Sequence, residues 1–225
     1  DGLRIALCMR WNPLADPFAR YVLPPAEALT DKSFILLHNC DAPKDHVFRE
    51  GTVFNKVNGP LDFGLFMTIN VAMADAEHFD AILYHDSDEI MPPNTRELAA
   101  EMLRTGKNTL NVPHSVVWGE DFTAQVCPSQ VPTGPHAKII RPKRGIQFSH
   151  PMGFNFPRDP AYVGWEHTMM SPVPLIHLYC MRESDRAERR RTGRADPLVQ
   201  RTEKELPCLQ PAPDWWKQYA LKDKT

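Results

Sequence analysis

Three acidic residues stand together in the first half of the chain, directly after a short apolar run. Asp86, Asp88 and Glu89 follow residues 81–85, which read AILYH. Such a run is typical of a buried strand, and open α/β sheets bind ligands at the carboxyl ends of their strands. Carboxylates this close repel one another, and a divalent cation offsets the repulsion. The pattern predicts a Mn²⁺ or Mg²⁺ site that also binds substrate phosphates; the alternative is a solvent-exposed acidic turn before the next helix.

Strand and helix patterns alternate around this motif. One helix is predicted to begin at Asp62 as its N-cap, and a second begins near Asn94 and ends before Gly106. The face of the first helix is predicted to consist of Leu65, Phe66, Ile69, Ala72 and Met73. The predicted strands cover residues 3–9, 33–39, 80–85, 109–118 and 137–141. This order predicts an α/β fold with a mostly parallel central sheet flanked by helices, and a loop-rich C-terminal half.

Composition and charge exclude several classes of protein. The 225 residues are 42% hydrophobic, so wholesale disorder is excluded and one domain is expected. The net charge of −2 gives no reason to expect a nucleic-acid partner. No apolar run approaches the ~18 residues of a membrane span. Proline is frequent, with 22 residues, and this favours many ordered loops.

The cysteines give an expectation about the compartment. There are 5 of them, an odd number, and no two have the spacing of a metal finger or a CxxC motif. We therefore expect reduced thiols that pack in the interior, and a cytoplasmic location.

An apolar strand that ends in Asp-x-Asp, preceded by a helix and by an N-terminal strand, resembles a GT-A fold glycosyltransferase. The resemblance is closest to the family 2-like enzymes that use nucleotide sugars, and it extends from Leu3 to about Arg191. It implies a single GT-A (Rossmann-like) domain over residues 1–225. Residues 1–107 would bind the nucleotide sugar, residues 108–195 would form the acceptor side, and residues 196–225 would be a C-terminal extension.

The same resemblance implies roles for the acidic motif. Asp86 would face the donor ribose and the surroundings of the metal, and Asp88 would coordinate the cation bound to the diphosphate. Many such enzymes bring a histidine to the same metal, and His177, which closes the apolar run 174–176, is the candidate. A histidine at the end of an apolar strand could equally be a core residue.

Further positions would meet the nucleotide. Arg10 is expected near phosphate and Trp11 on the base, although Trp11 could instead be a packing residue. Lys56 is expected near the nucleotide or its phosphate, unless it is an ordinary surface lysine. The full set of nucleotide-binding candidates is Met9, Arg10, Trp11, Asn39, Asp41, Lys56 and Asp86.

Transfer to a glycan or other hydroxyl acceptor with inversion needs a general base within about 3 Å of that hydroxyl. The candidates are Glu166, Glu120 and Asp121, which all lie next to or near a tryptophan in the sequence, and His150 is a further possibility. Glu166 is favoured because it lies in the proline-rich loops before His177.

The chain also departs from the family in two places. It lacks an Asn-Glu pair after the first strand, and no QxxRW-like element follows, which excludes the processive polysaccharide synthases as close relatives. Three other classes of protein are alternatives. These are a non-catalytic nucleotide- or sugar-binding domain, a nucleotidyltransferase and a phosphatase of the haloacid dehalogenase type. A nucleotidyltransferase usually has a glycine-rich loop after strand one, but residues 10–15 contain no glycine.

Overall fold

The computed structural model describes residues 2–11, 18–60, 62–131, 135–143, 148–149, 156–157, 162, 164–178, 181–182, 184, 186–187, 191, 198 and 207–220. The chain divides into two compact units. The first consists of Asp1–Val112 and His136–Val173, and the second of Pro113–Pro135 and Pro174–Thr225. These borders differ from those predicted at residues 107 and 195, because the chain leaves the first unit and returns to it.

The described part of the first unit contains three helices and most of the strands. The helices are α1 (Ala19–Ala28), α2 (Phe63–Ala76) and α3 (Thr95–Arg104). The strands are β1 (Ile5–Trp11), β2 (Lys32–His38), β3 (Val53–Val57), β4 (Ala81–His85), β5 (Glu89–Ile90), β6 (Thr109–Val112), β9 (His136–Ile140), β10 (Phe148–Ser149), β11 (Phe156–Pro157) and β12 (Thr168–Met170). None of the described helices is long and apolar enough to cross a membrane.

Seven of these strands form one sheet, in the order β12-β6-β9-β4-β1-β2-β3. Strand β9 runs antiparallel to both of its neighbours, β4 and β6. Every other neighbouring pair in the sheet is parallel. The predicted α/β fold with a mostly parallel central sheet is therefore confirmed.

The central strands are buried along their length. All five residues of β4 are buried, as are six of the seven residues of β1. Strands buried on both faces read as continuous apolar runs, which is why the sequence reveals them. Helix α2 begins as predicted, with the Asp62 side chain accepting a hydrogen bond from the Leu65 N–H at 3.0 Å.

The buried face of α2 differs from the predicted one. Phe66, Met67, Val71 and Ala74 are buried against the sheet, whereas two residues assigned to the core are 57% exposed (Leu65) and 43% exposed (Ile69). Because this helix is apolar on nearly every side, its sequence period does not identify the face that is buried.

Four described strands of the second unit pair with one another. Its strands are β7 (His114–Trp118), β8 (Ala124–Val126), β13 (Leu175–His177) and β14 (Leu209–Pro211), in the order β14-β8-β7-β13. Strands β7 and β13 are parallel, and the other two pairs are antiparallel. The predicted strand over residues 109–118 is interrupted at Pro113, as expected from a residue that lacks an N–H. Short 3-10 helices cover Pro128–Gln130 and Asp214–Tyr219.

A disulfide joins Cys127 and Cys208 in the second unit, with their Cα atoms 5.4 Å apart. The expectation that all cysteines are reduced is therefore wrong for this pair, because sequence spacing does not show which cysteines meet in space. Cys8 and Cys40 are free thiols. Disulfides persist in oxidising compartments, so the pair removes the ground on which a cytoplasmic location was predicted.

Replacing Cys127 by serine is expected to destabilise the second unit by about 2–4 kcal/mol, because the bond closes a long loop of the unfolded chain. Urea unfolding followed by tryptophan fluorescence measures this change. Cys40→Ser is the control and should leave the midpoint nearly unchanged. A non-reducing peptide map without a linked Cys127–Cys208 peptide would contradict the pairing.

Candidate active site

The acidic motif lies at the carboxyl end of β4, beside the end of β1. The register pairs Met9 with His85, so Arg10 and Asp86 come next on the two parallel strands. From β1 the chain adds β2 and β3 on one side and β4 on the other, so the strand order reverses between β1 and β4. Open α/β sheets bind ligands in the crevice at such a reversal.

A buried lysine lies between two of the three acidic side chains. The Lys138 Nζ is 2.6 Å from Oδ2 of Asp86 and 2.7 Å from Oε2 of Glu89. The side chains of Lys138 and Glu89 are 1% exposed, whereas that of Asp86 is 37% exposed. Asp86 therefore extends from a buried ion pair to the surface, where a ligand can reach it. Lys138 comes from β9, the neighbour of β4, so the sheet itself positions the ammonium.

This lysine changes the electrostatics expected from the sequence. Burial alone raises the pKa of Asp86, but the charge of Lys138 and its hydrogen bond outweigh burial and lower the pKa to about 2. The charge of Arg10 contributes to this lowering of the pKa. Burial lowers the pKa of Lys138, but Asp86 and Glu89 raise it by more. Both groups are charged at neutral pH, so protein cations already offset much of the repulsion that was ascribed to a metal ion.

His85 fixes the start of the acidic turn. Its Nδ1 lies 2.6 Å from the carbonyl oxygen of Asp86, and because a carbonyl only accepts, Nδ1 carries the proton. The ring is 1% exposed, and burial lowers the pKa of His85 to about 4. A neutral histidine thus holds the backbone from which the Asp86 side chain projects.

Two of the nucleotide-binding candidates at the end of β1 are fully buried. Met9 and Trp11 have no exposed surface, and the Trp11 ring packs against His46 and Phe48 with centroids 5.1 and 5.4 Å away. The predicted stacking of a base on Trp11 is therefore not available to this buried ring, and the packing alternative is the one observed. Arg10 is half-buried and is the charged side chain of this strand end.

The candidates after β2 form polar contacts with one another and with the loop after β3. The Asn39 Oδ1 accepts a hydrogen bond from the Gly59 N–H at 2.6 Å, and Asn39 has a φ of 53°, which is uncommon for a residue other than glycine. Lys56 forms an ion pair with the exposed Asp41 at 2.5 Å. Lys56 also lines a groove of about 270 Å³ between β2, β3 and α2.

Glu166 does not share a site with Asp86, contrary to the expectation. Strand β12 follows Glu166 and pairs in parallel with β6, and the registers through β9 place Thr168 level with Ile82. Glu166 thus lies beside the amino ends of the strands. Glu166 is two residues before Thr168 and so level with Asp80, which puts Asp86 six positions further along. Because β4 is also three strands away in the sheet order, the separation is about 25 Å.

The surroundings of Glu166 form a separate surface feature. The Lys107 Nζ donates hydrogen bonds to the carbonyls of Trp165 and Glu166 at 2.9 and 2.8 Å. Trp165 is 82% exposed and lines a cavity of about 200 Å³ with Asn111 and Met170. The tryptophan next to Glu166 is thus accessible, but it lies at the amino ends of the strands.

The other base candidates lie in the second unit, in the turn after β7. This turn contains positive φ angles at Gly119 (89°) and Phe122 (56°). Glu120 forms an ion pair with Arg182 at 2.5 Å. The Asp121 Oδ1 accepts a hydrogen bond from the Thr123 N–H at 3.3 Å.

His177 ends β13 in the second unit and is half-buried. Its ring lies edge-on to that of His114, on the parallel strand β7, with centroids 5.2 Å apart. Two imidazoles this close offer nitrogen ligands, which suit Zn²⁺ better than Mg²⁺. His150 lies outside the described residues.

Sequence reasoning missed three of these residues: Lys138, His85 and His114. A signal existed for Lys138, because it interrupts the apolar strand residues Ala137, Ile139 and Ile140, and a lysine is seldom fully buried unless it is paired. No local signal distinguishes His85 or His114, since their roles depend on neighbours that the chain order does not reveal.

Of the known proteins compared with this chain, only solved structures match it. No family model and no curated protein matches the chain. Among solved structures it is similar to S. aureus TarS 1-349 (TM-score 0.49, 11% identity, 82% of this chain and 63% of that chain). It is also similar to a longer structure of S. aureus TarS (0.49, 10%, 83% and 39%) and to TarS 1-349 in complex with UDP-GlcNAc (0.41, 14%, 62% and 45%). The chain thus spans less than two thirds of the length of each of these structures.

Proposed function

We propose that this chain is a metal-dependent, GT-A-type glycosyltransferase that moves a sugar from a nucleotide-sugar donor to a hydroxyl acceptor, with inversion. The observation that supports this most is the position of Arg10 and Asp86. A cationic and an anionic side chain lie at the carboxyl ends of adjacent parallel strands, at the reversal of the strand order. A diphosphate with a bound cation needs both kinds of group, and this crevice is where such a fold binds nucleotides.

The residues of the acidic turn fit one divalent cation. Lys138 contacts Oδ2 of Asp86, so Oδ1 of this partly exposed carboxylate remains on the ligand side. Asp88 is half-buried two residues later and supplies a second carboxylate. One or two carboxylates together with substrate phosphates are the ligands that Mg²⁺ and Mn²⁺ take in phosphate-binding sites. The proposed protein ligands are Asp86 and Asp88, and His177 remains a third candidate.

The chemistry assigned to each group follows from its charge. A bound cation supplies Lewis-acid stabilisation of the departing diphosphate. Arg10 contributes positive charge to the same oxygens, and Lys56 with Asp41 and Asn39 would bind the nucleoside beyond the end of β2. The proton of the acceptor hydroxyl passes to a carboxylate, and Asp121 is the candidate that we assign to this role; Glu120, which is paired with Arg182, is the neighbouring alternative.

Ligand-induced stabilisation tests the binding half of the proposal. The chain is heated with a panel of nucleoside diphosphates and nucleotide sugars, with and without Mn²⁺. A ligand present at about 100 times its Kd adds about 2.7 kcal/mol to the free energy of unfolding, a clear rise in Tm. We expect this rise only when nucleotide and Mn²⁺ are both present. If no nucleotide in the panel raises Tm together with Mn²⁺, the proposal loses its basis.

His177 has two possible roles that one variant separates. If it binds the metal, His177→Ala is expected to weaken Mn²⁺ affinity by at least about ten- to a hundredfold, with little change in Tm. Isothermal titration with Mn²⁺ in the presence of a nucleoside diphosphate measures this. A lower Tm with unchanged Mn²⁺ affinity would instead assign His177 to the core.

A further inference from the structure

The contacts of Lys138 resemble those of a bound cation. Its Nζ lies at 2.6 and 2.7 Å from one oxygen of Asp86 and one oxygen of Glu89, and 5.3 Å above the centre of the Tyr84 ring. The side chain is 1% exposed, so water does not provide its hydrogen bonds. Glu89 is equally buried and also accepts a hydrogen bond from the Asp86 N–H at 3.4 Å.

One ammonium joins two of the three acidic residues. Lys138 bridges Asp86 and Glu89, and Asp88 lies between them in the sequence. A buried carboxylate that loses its counter-charge is strongly destabilising, so the lysine and the two carboxylates form one unit. A metal ion cannot occupy the space between these two oxygens while the ammonium is there.

We propose that Lys138 is a positioning residue that acts as a built-in cation between Asp86 and Glu89. It holds the Asp86 carboxylate in one orientation and excludes a metal ion from the buried pair. The Asp88 carboxylate and the other oxygen of Asp86 are then the proposed ligands for a metal ion at the acidic turn. The substrate that this metal ion would bind rests on the proposed function, whereas the position of Lys138 between the carboxylates does not.

The test compares the thermal stability of variants with and without millimolar Mn²⁺, in the absence of nucleotide. Lys138→Met removes the ammonium and is expected to lower Tm by about 10 °C. Mn²⁺ should restore much of this loss, because the vacated carboxylate pair becomes a cation site. Lys138→Arg retains the charge, so its Tm should fall less and should not respond to Mn²⁺ more than that of the natural chain does.

A second variant covers the case in which Lys138→Met does not fold. Lys138→Met/Glu89→Gln removes the lysine together with one buried negative charge, and it should be more stable than Lys138→Met and lose the Mn²⁺ response. Lys32→Met is the matched control, because Lys32 pairs with Glu77 at 2.6 Å but is 28% exposed. Its Tm should change little and should not depend on Mn²⁺.

Two results would overturn this inference. One is a Lys138→Met protein that folds and gains no more stability from Mn²⁺ than Lys32→Met does. The other is a double variant no more stable than Lys138→Met. Neither result depends on nucleotide binding, so the inference about Lys138 and the proposed glycosyltransferase activity succeed or fail separately.

Discussion

Asp88→Asn is expected to abolish metal-dependent binding of nucleoside diphosphates while the chain remains folded. Asp88 is one of the two proposed metal ligands, so binding of the metal depends on its charge. Losing a residue that merely supports a metal ligand costs about ten- to a hundredfold in affinity, so losing a ligand should cost at least the upper figure. Isothermal titration of nucleoside diphosphate with and without Mn²⁺ measures the loss.

Glu50→Gln serves as the control for this prediction. Glu50 is an exposed acid in the loop before β3, and its neutralisation changes the net charge by the same amount. Its titration should match that of the natural chain. If Asp88→Asn binds the diphosphate with unchanged metal dependence, the acidic turn is not the metal site.

Asp121→Asn is expected to reduce turnover by about 10² to 10⁴, the usual contribution of a general base, without weakening donor binding. A base acts only on the acceptor proton, so its loss appears in kcat rather than in the Kd of the donor. Glu166→Gln should keep transfer within about twofold of the natural rate, because β12 carries Glu166 at the amino ends of the strands. Steady-state transfer rates and donor titrations of both variants measure these effects.

Glu120→Gln completes this comparison. It removes the partner of Arg182, so a change in Tm is expected together with a smaller change in turnover. If Glu166→Gln alone stops turnover, the base assignment and the location of the reaction are both wrong. If all three variants remain active, a mechanism without a protein base, such as retention, becomes the better account.

The parts of the fold that the sequence revealed are those buried on both faces. Strands β1 and β4 are continuous apolar runs, and Pro113 marks the end of β6. Helix α1 was missed because Pro24 and Pro25 lie inside it, although its buried residues, such as Val22, Leu23 and Ala26, recur at helical spacing. Proline is unfavourable inside a helix, yet here burial of this apolar face prevails.

The candidate site was predictable only where its residues follow one another in the chain. The acidic turn and Arg10 each follow a recognisable strand, so their meeting at one edge follows from parallel pairing. Glu166 was misplaced because position in the sequence does not give a strand's place in the sheet, and β12 extends the sheet beyond β6. Lys138 was missed because its partner Asp86 lies 52 residues away in the sequence. The two residues meet only because β9, which carries Lys138, pairs antiparallel with β4.

The products formed from a nucleotide sugar test the central claim most directly. The purified chain is incubated with nucleotide sugars and Mn²⁺, with water or a sugar alcohol as acceptor, and the nucleotide product is identified by anion-exchange chromatography. We predict release of nucleoside diphosphate, which is lost in Asp88→Asn and retained in Glu50→Gln. Release of nucleoside monophosphate or pyrophosphate, or Mn²⁺-dependent binding without any product, would contradict a glycosyltransferase and favour a nucleotidyltransferase, a phosphatase or a non-catalytic binding domain.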